Sequence, residues 1–390
     1  MRDGIRRAIR GFNLNFIYKK MNQYGIYIHI PFCKARCGYC AFSSCVDFSL
    51  VDKYFAKLFE EIAHYGDKSV EISTVYIGGG TPSSVDKNLL NDLFDQLRAH
   101  FDLSQVMEMT VECNPESTTE ELLRCLKANG VNRLSFGLQS VNDATLKRIG
   151  RLHDYKQFIK AVNLARQLGF ENINADLIVG LPETREEFCH SVETVCALNL
   201  QHISIYALEL HEGTALYNLC KATYPFDDDE LTDMYDFACS TLAKCGLDRY
   251  EISNFAKVGY ESKHNLNYWR EGRYFAFGAS ASGFVGDVRY TNPYDIKKYL
   301  LTPTKILHND CENISGEEQA NEFVMLGLRL IAGVSMVEFE QRYGIDFFEF
   351  FPCAAKLVER GLLRVDNGRV VVPSDKLYVV NSILVELLTI

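Results

Sequence analysis

"GIYIHIPFCKARCGYCAFSSC", residues 25–45, joins two patterns that together decide the fold. Its first half alternates as a strand does, and Cys33, Cys37 and Cys40 follow at spacings of four and three where that strand ends. Working outward, a helical pattern near 49–65 follows the cysteines, and the same unit then recurs. "STVYIGGG" precedes a helix near 87–99, "EMTVEC" one near 119–129, and "NRLSFGLQ" two near 142–149 and 154–168. "NINADLIVG" precedes a helix near 185–198 and "HISIYALEL" one near 228–244. Strands alternating with helices predict a parallel sheet with right-handed crossovers, either open and doubly wound or closed into a partial barrel. In both forms the active site belongs at the C-terminal ends of the strands, which is where the unusual residues of this sequence fall.

Three thiols in one short loop leave a metal position free, because four ligands close a structural zinc or a four-iron cluster. Zinc is an alternative if Cys45 or His29 supplies the fourth ligand, and simple packing of the cysteines is another. The chain has 390 residues, enough for two or more domains, and its 13 cysteines form an odd number with no secretory signal pattern. A reducing cytoplasm is the expected home. No run reaches the roughly 18 consecutive apolar residues of a membrane-spanning helix. A formal charge of −10 disfavours nucleic acid and anionic membranes as partners. Residues 1–20 run against that charge, with six Lys or Arg to one Asp and apolar residues near helical spacing. They read either as a basic surface helix or as a dispensable extension ahead of Met21.

Beyond about residue 250 the alternation stops, and residues 251–316 read as an ordered linker or accessory segment between a core domain, 21–250, and a C-terminal domain, 317–390. The latter reads as helices followed by a hairpin, "LLRVDNGRVVV", a winged-helix-like α+β order with a turn at Asp366-Asn367-Gly368.

"CKARCGYC" resembles the C-x3-C-x2-C motif of the radical S-adenosylmethionine superfamily. That resemblance implies a partial (β/α)6 barrel in which Cys33, Cys37 and Cys40 hold a [4Fe-4S] cluster. S-Adenosylmethionine occupies the fourth iron and is cleaved by the reduced cluster to methionine and a 5'-deoxyadenosyl radical. "YIHIPFC", "GGGTPS", "ECNPES", "NRLSFGLQS", "GRLH" and "DLIVGLP" further resemble, in order, the oxygen-independent coproporphyrinogen III oxidase group. By that likeness Tyr27, Tyr39, Gly79, Gly80, Thr81, Glu112, Gln139, Arg151 and Asp176 contact the cofactor. Arg151 suits a carboxylate and Glu112 an ammonium or hydroxyls, while the absent side chains of the glycines let the backbone approach a ligand. Read singly, Glu112 or Asp176 could instead cap a strand end, and Arg151 form a surface ion pair.

Phe42 stands where the oxidases carry a fourth cysteine, and "HNLNYW" resembles the H-N-x-x-Y-W motif of the heme chaperone branch of the same group. The branch implies heme as cargo, heme-accepting proteins as partners, membrane contact only through those proteins, and a homodimer as one oligomeric form. It also implies His264, Asn265, Tyr268 and Trp269 as heme contacts, with an imidazole suited to iron and aromatic rings to a porphyrin face. The alternative for these four is hydrogen bonding in an ordered loop and core packing. Oxidative decarboxylation of coproporphyrinogen III, or another radical reaction, is the alternative to the chaperone role.

Overall fold

The computed structural model describes residues 23–221 and 224–388, so the expectations for residues 1–20 lie outside the described residues. The repeating units are β1 (Gln23–Ile30), α1 (Val51–Tyr65), β2 (Glu71–Gly79), α2 (Lys87–His100), β3 (Glu108–Cys113), α3 (Glu120–Ala128) and β4 (Arg133–Gln139). They continue through α4 (Asp143–Arg148), α5 (Tyr155–Gln167), β5 (Asn172–Val179), α6 (Arg185–Ala197), β6 (His202–Ala207), α7 (Ala215–Cys220) and α8 (Asp228–Lys244). β1 to β6 pair in sequence order and all run parallel. Helix starts follow local chemistry: Asp154, Thr184 and Asp227 accept from the third backbone N–H of α5, α6 and α8, and Gln157, Glu187 and Glu230 answer with reciprocal bonds.

Side-chain alternation along the strands selects a partial barrel over a doubly wound sheet. Helices on both faces would demand strands that are apolar throughout. Here one face is apolar and packs on the helices: Ile26, Ile28 and Ile30; Val75 and Ile77; Val111; Leu134, Phe136 and Leu138; Ile173, Ala175 and Leu177; Ile203 and Ile205. The opposite face carries Tyr27 and His29, Tyr76, Glu112, Arg133 and Ser135, Asn174 and Asp176, His202 and Ser204, and all of these but Arg133 hydrogen-bond within the set. A polar face of this kind lines an interior. The strands therefore form a partial (β/α)6 barrel with its apolar core between sheet and helices.

Residues 248–316 extend both ends of the same sheet. β7 (Asp248–Arg249) and β8 (Asn254–Ala256) add antiparallel beyond β6; after α9 (Lys263–Trp269), β9 (Tyr274–Phe277) pairs parallel with β1. β10 (Ser282–Val285), β11 (Val288–Thr291) and, past α10 (Ile296–Leu301), β12 (Cys311–Asn313) complete a twelve-stranded sheet. A buried carboxylate fastens this extension to α1. Glu61 accepts from Gly278 N (2.9 Å), Asn292 Nδ2 (2.6 Å), the Tyr299 hydroxyl (2.7 Å) and His308 Nε2 (3.0 Å). The His308 ring lies stacked between Tyr65 and Tyr290, with centroids 3.6 and 3.7 Å away.

A second core follows in winged-helix order: α11 (Gly316–Gly327), β13 (Val334–Ser335), α12 (Met336–Tyr343), α13 (Phe347–Phe350), α14 (Ala354–Glu359), β14 (Arg364–Asp366), β15 (Arg369–Val371) and α15 (Val380–Leu387). The β14–β15 turn places Asn367 at φ 48° and Gly368 at φ 75°, the left-handed pair that a two-residue hairpin of this hand requires. Phe323, Phe339, Phe347, Leu357 and Leu384 fill this core. It docks on the barrel through a two-point Arg289–Glu322 pair (2.7 and 2.6 Å), and through Arg342 and Tyr343, which both reach buried Glu271 (3.3 and 3.1 Å).

Candidate functional site at the strand ends

The three cysteines occupy a loop that is closed at its base and pinned at its middle. Cys33 N donates to Cys45 O (3.0 Å) and Cys45 N to Pro31 O (2.7 Å), while Gly38 N donates to Ile149 O (2.8 Å) and Leu216 N to Gly38 O (2.8 Å). Its far side is held from the sheet extension, by Ser43 Oγ on Tyr294 O (2.9 Å) and by the Tyr294 hydroxyl on Ala41 O (3.1 Å). All three thiols are free and half-buried. Burial pushes the Cys33 thiol up to about 11 against the Thr81 hydroxyl and Arg151, which favour the thiolate; Cys40 is also raised, by burial first. His29 is committed elsewhere, Nδ1 to the Tyr27 hydroxyl (2.9 Å) and Nε2 to Ser43 O (3.1 Å), so it has no nitrogen to offer a zinc ion. Among the described residues no three His, Cys, Asp or Glu side chains converge on one metal ion.

A hydrogen-bonded circuit joins two of the cysteines through residues that follow β2, β3 and α4. Thr81 Oγ1 donates to Cys33 Sγ (3.4 Å) and accepts from Asn114 Nδ2 (3.1 Å). Arg151 Nη2 donates to Asn114 Oδ1 (2.7 Å) and Gly137 O (2.6 Å), and its Nη1 reaches Cys37 Sγ (3.5 Å). Arg151 Nε is buried and has no partner within the protein. Gly137 makes this convergence feasible: a Cβ there would sit 3.0 Å from Gln139 Nε2, 3.1 Å from Arg151 Nη2 and 3.2 Å from Asn114 Oδ1. Gln139 itself has φ 74° where β4 breaks register with β5, a strained backbone of the kind that collects at functional sites. Tyr39 packs on Ile149, Ile178 and Leu181 beside it, and burial raises its phenol. Asn114 belongs to "ECNPES" but had no role assigned from sequence, although the "NP" after a strand end was the available signal.

Glu112 and Asp176 face each other from β3 and β5. Glu112 accepts from the Tyr76 hydroxyl (2.7 Å) and Gly79 N (2.9 Å). Burial lifts its carboxyl to about 7, opposed by the Tyr76 bond and reinforced by the nearby charge of Asp176. Asp176 is likewise raised by burial and accepts from Asn174 Nδ2 (2.7 Å). Burial also raises the Tyr27 phenol, with Glu112 adding to the shift. The triple glycine also has a reason within the protein itself. A Cβ on Gly78 would lie 2.7 Å from the Glu112 carboxylate, on Gly79 2.5 Å from the His29 ring, and on Gly80 2.5 Å from the Pro31 backbone. The missing side chains thus admit the protein's own groups, and Gly79 at φ 109° needs glycine for its backbone as well.

The "HNLNYW" segment is a helix, α9, where an ordered loop was the alternative. It starts because Ser262 caps it and buried Glu108 accepts from Ser262 Oγ (3.3 Å), Lys263 N (3.0 Å) and His264 N (3.1 Å). One face, His264 and Tyr268, turns into the barrel; α9 is packed between β2 and α11. The buried His264 ring has both nitrogens engaged, Nδ1 with Thr74 Oγ1 (2.8 Å) and Nε2 with the Tyr268 hydroxyl (2.8 Å). Burial, aided by the Arg133 charge, lowers it to about 3, so it is neutral. An iron at either nitrogen would have to displace one of those bonds. Asn265 and Trp269 lie one position on and share another face, both half-buried, and Trp269 Nε1 has no partner.

Residues 27–195 match the model of the radical SAM superfamily and residues 314–374 that of the HemN C-terminal domain. The first span contains every residue expected at the cluster and its cofactor; α9 falls between the two. The heme chaperone HemW of Bacillus subtilis is 40% identical over 355 residues, covering 88% of this chain and 93% of that protein. The chain belongs to the heme chaperone HemW family. HemW of Lactococcus lactis is 36% identical over 88% of this chain and 92% of its own length, and HemW of Escherichia coli 34% over 82% and 86%. Among solved structures, coproporphyrinogen III oxidase (HemN) from Escherichia coli matches with a TM-score of 0.81 at 23% identity, covering 94% of this chain and 90% of that one, which is a likeness of fold. No helix among the described residues is long and apolar enough to cross a membrane.

Proposed function

We propose that this protein binds heme and passes it to heme-accepting proteins, and that it holds a [4Fe-4S] cluster and S-adenosylmethionine at the strand ends of its barrel. The family supports the first part. The observation that carries the second is the circuit from Cys33 through Thr81, Asn114 and Arg151 to Cys37, which aims donors and a guanidinium at sulfur. Cluster sulfurs are stabilised by such donors, so the residues present fit the group. Cys33, Cys37 and Cys40 would ligate three irons. Arg151, Gln139, Glu112, Asp176, Thr81, Gly79, Gly80, Tyr27 and Tyr39 would line the cofactor's place. When bound, the pair supplies one-electron chemistry at the cofactor's sulfonium. The chain's own contribution is to fix the cofactor's charged groups, with Arg151 for a carboxylate and Glu112, once ionised, for an ammonium or ribose hydroxyls.

In this reading residues 21–250 hold the cluster, 251–316 complete the sheet and present α9, and 317–390 form the domain that braces α9. The described cysteines are all free thiols, which supports work in a reducing cytoplasm. Heme would meet α9 through His264, Asn265, Tyr268 and Trp269, with iron ligation by His264 requiring one of its two hydrogen bonds to open. Anaerobic reconstitution should give Mössbauer or EPR spectra of one [4Fe-4S] cluster, lost in a triple Cys33→Ala, Cys37→Ala, Cys40→Ala variant. Ferric heme should show a shifted Soret band with the purified protein, and coproporphyrinogen III should not be converted. Conversion at a catalytic rate without heme affinity would replace this reading with that of the oxidase. A Soret band unchanged by His264→Ala would remove His264 from the iron.

A further inference from the structure

The interior face of the barrel holds two continuous connections between α9 and the carboxylates at the strand ends. The first runs along β2. The His264 ring stacks on the Tyr76 ring, with centroids 5.2 Å apart and planes at 25°, and His264 Nδ1 bonds Thr74, two residues before Tyr76 on the same strand. The Tyr76 hydroxyl then donates to Glu112 Oε1 at 2.7 Å. The second crosses β6 and β5. Ser262 N, at the cap of α9, donates to the Tyr250 hydroxyl (3.2 Å), which bonds His202 Nε2 (2.9 Å); His202 Nδ1 bonds Asn174 Oδ1 (2.7 Å), and Asn174 Nδ2 donates to Asp176 Oδ1 (2.7 Å). His202 is fully buried and held neutral by burial and by the Arg133 charge. With one ring proton, the network assigns it to Nδ1, because Asn174 Oδ1 can only accept. Every donor in the chain then points toward Asp176.

We propose that α9 is a positioning element for the cofactor site, with His264 acting through Tyr76 on Glu112, and the cap of α9 acting through Tyr250, His202 and Asn174 on Asp176. This rests on the reading that Glu112 and Asp176 contact S-adenosylmethionine. It gives His264 work that does not depend on iron, and it makes the packing of α11 on α9 a route by which the C-terminal domain touches the cofactor site.

The groups that face Glu112 are Tyr76 on β2, Tyr27 on β1, Arg133 on β4, Asp176 on β5 and Tyr206 on β6. Of these only Tyr76 both bonds the carboxylate and lies under His264. The test is S-adenosylmethionine affinity of the anaerobically reconstituted protein from pH 6 to 9, for Tyr76→Phe, Thr74→Val, His264→Ala and Glu112→Gln, with iron content measured in parallel. Tyr76→Phe should weaken binding at pH 7 about fivefold to tenfold, the scale of one typical lost hydrogen bond, and move the pH at which binding strengthens upward. Thr74→Val and His264→Ala should shift the same profile upward by a smaller amount with iron content intact. Loss of fold in His264→Ala would leave Thr74→Val to make the same measurement. If Glu112→Gln weakens binding while Thr74→Val and His264→Ala keep affinity and pH profile within twofold, the positioning role is overturned. If Glu112→Gln also binds as the parent does, the assignment of Glu112 to the cofactor fails, and the proposal with it.

Discussion

Gly80→Ala places one methyl group against the root of the cysteine loop and should cost the protein its cluster. The new Cβ would lie 2.5 Å from Pro31 C, 2.7 Å from Pro31 O and 2.9 Å from Ile30 O, all backbone atoms with no rotamer to yield. Ordinary carbon contact begins near 3.5 Å, so the Ile30–Pro31 segment must retreat by about 1 Å. That retreat opens Gly80 N to Ile30 O (2.8 Å) and Thr81 N to Phe32 O (2.9 Å), and it carries Cys33 away from Thr81. Overpacking of about 1–3 kcal/mol plus two weakened backbone bonds at about 1 kcal/mol each puts the local cost near 3–5 kcal/mol. The control is Gly130→Ala, at φ 91° with nothing within 4 Å of the added carbon, which suffers backbone strain alone. Its cost should be about 1–2 kcal/mol. Iron and sulfide content after reconstitution, beside urea melts of both variants, reads the difference. Gly130→Ala should lose stability and keep its cluster, whereas Gly80→Ala should lose most of its iron. Full iron in Gly80→Ala with an unchanged melt would refute the argument that glycine here admits the backbone of Pro31.

Arg151→Ala should weaken S-adenosylmethionine binding by about 1.5–3 kcal/mol in calorimetry, since it removes a charge-assisted partner and opens the circuit at Asn114. In the cofactor-free protein, Glu112 near 7 against an ordinary 4.5 means that folding takes up a proton between those values, so stability falls as pH rises through that window. Glu112→Gln should abolish this slope and be more stable than the parent at pH 8 by about 1–3 kcal/mol but not at pH 5, as read by urea melts. Phe42→Cys, at a side chain 71% exposed, should change stability by less than about 0.5 kcal/mol and should not by itself bring conversion of coproporphyrinogen III in an anaerobic assay. Arg289→Ala should unlock the Arg289–Glu322 pair, cost about 1–3 kcal/mol, and separate the melting of the C-terminal core from that of the barrel in calorimetry.

Local chemistry made the barrel's units legible. Helices α2 to α6 and α8 begin and end within about two residues of their sequence-read positions because Asp, Asn and Thr caps precede apolar stripes, a pattern internal to each segment. The strands of 251–316 escaped because they are three or four residues long, and β8 and β9, which anchor them, take their pairing from the distant β6 and β1. The Gly286-Asp287 turn between β10 and β11 was the one hairpin signal present. At the site, the cysteines and the strand-end residues were readable from motif and position. Their wiring was not: Asn114 meets Arg151 across 37 positions and Thr74 meets His264 across 190, distances over which no periodicity speaks. The glycines of "GGGTPS" also leave space that Glu112, His29 and Pro31 occupy, a packing role that no motif announces.

The bonds from Tyr294 to Ala41 and Ser43 set an order of events in time. The cysteine loop emerges well ahead of the residue that ties down its far side, about 250 positions later, and β1 lacks one of its two neighbours until β9 has been made. A growing chain that stops short of that point presents three thiols on a loop with one wall missing, beside an unpaired strand edge. A cluster on these thiols would therefore be loaded late: the thiols leave the ribosome well before the residue that holds their loop.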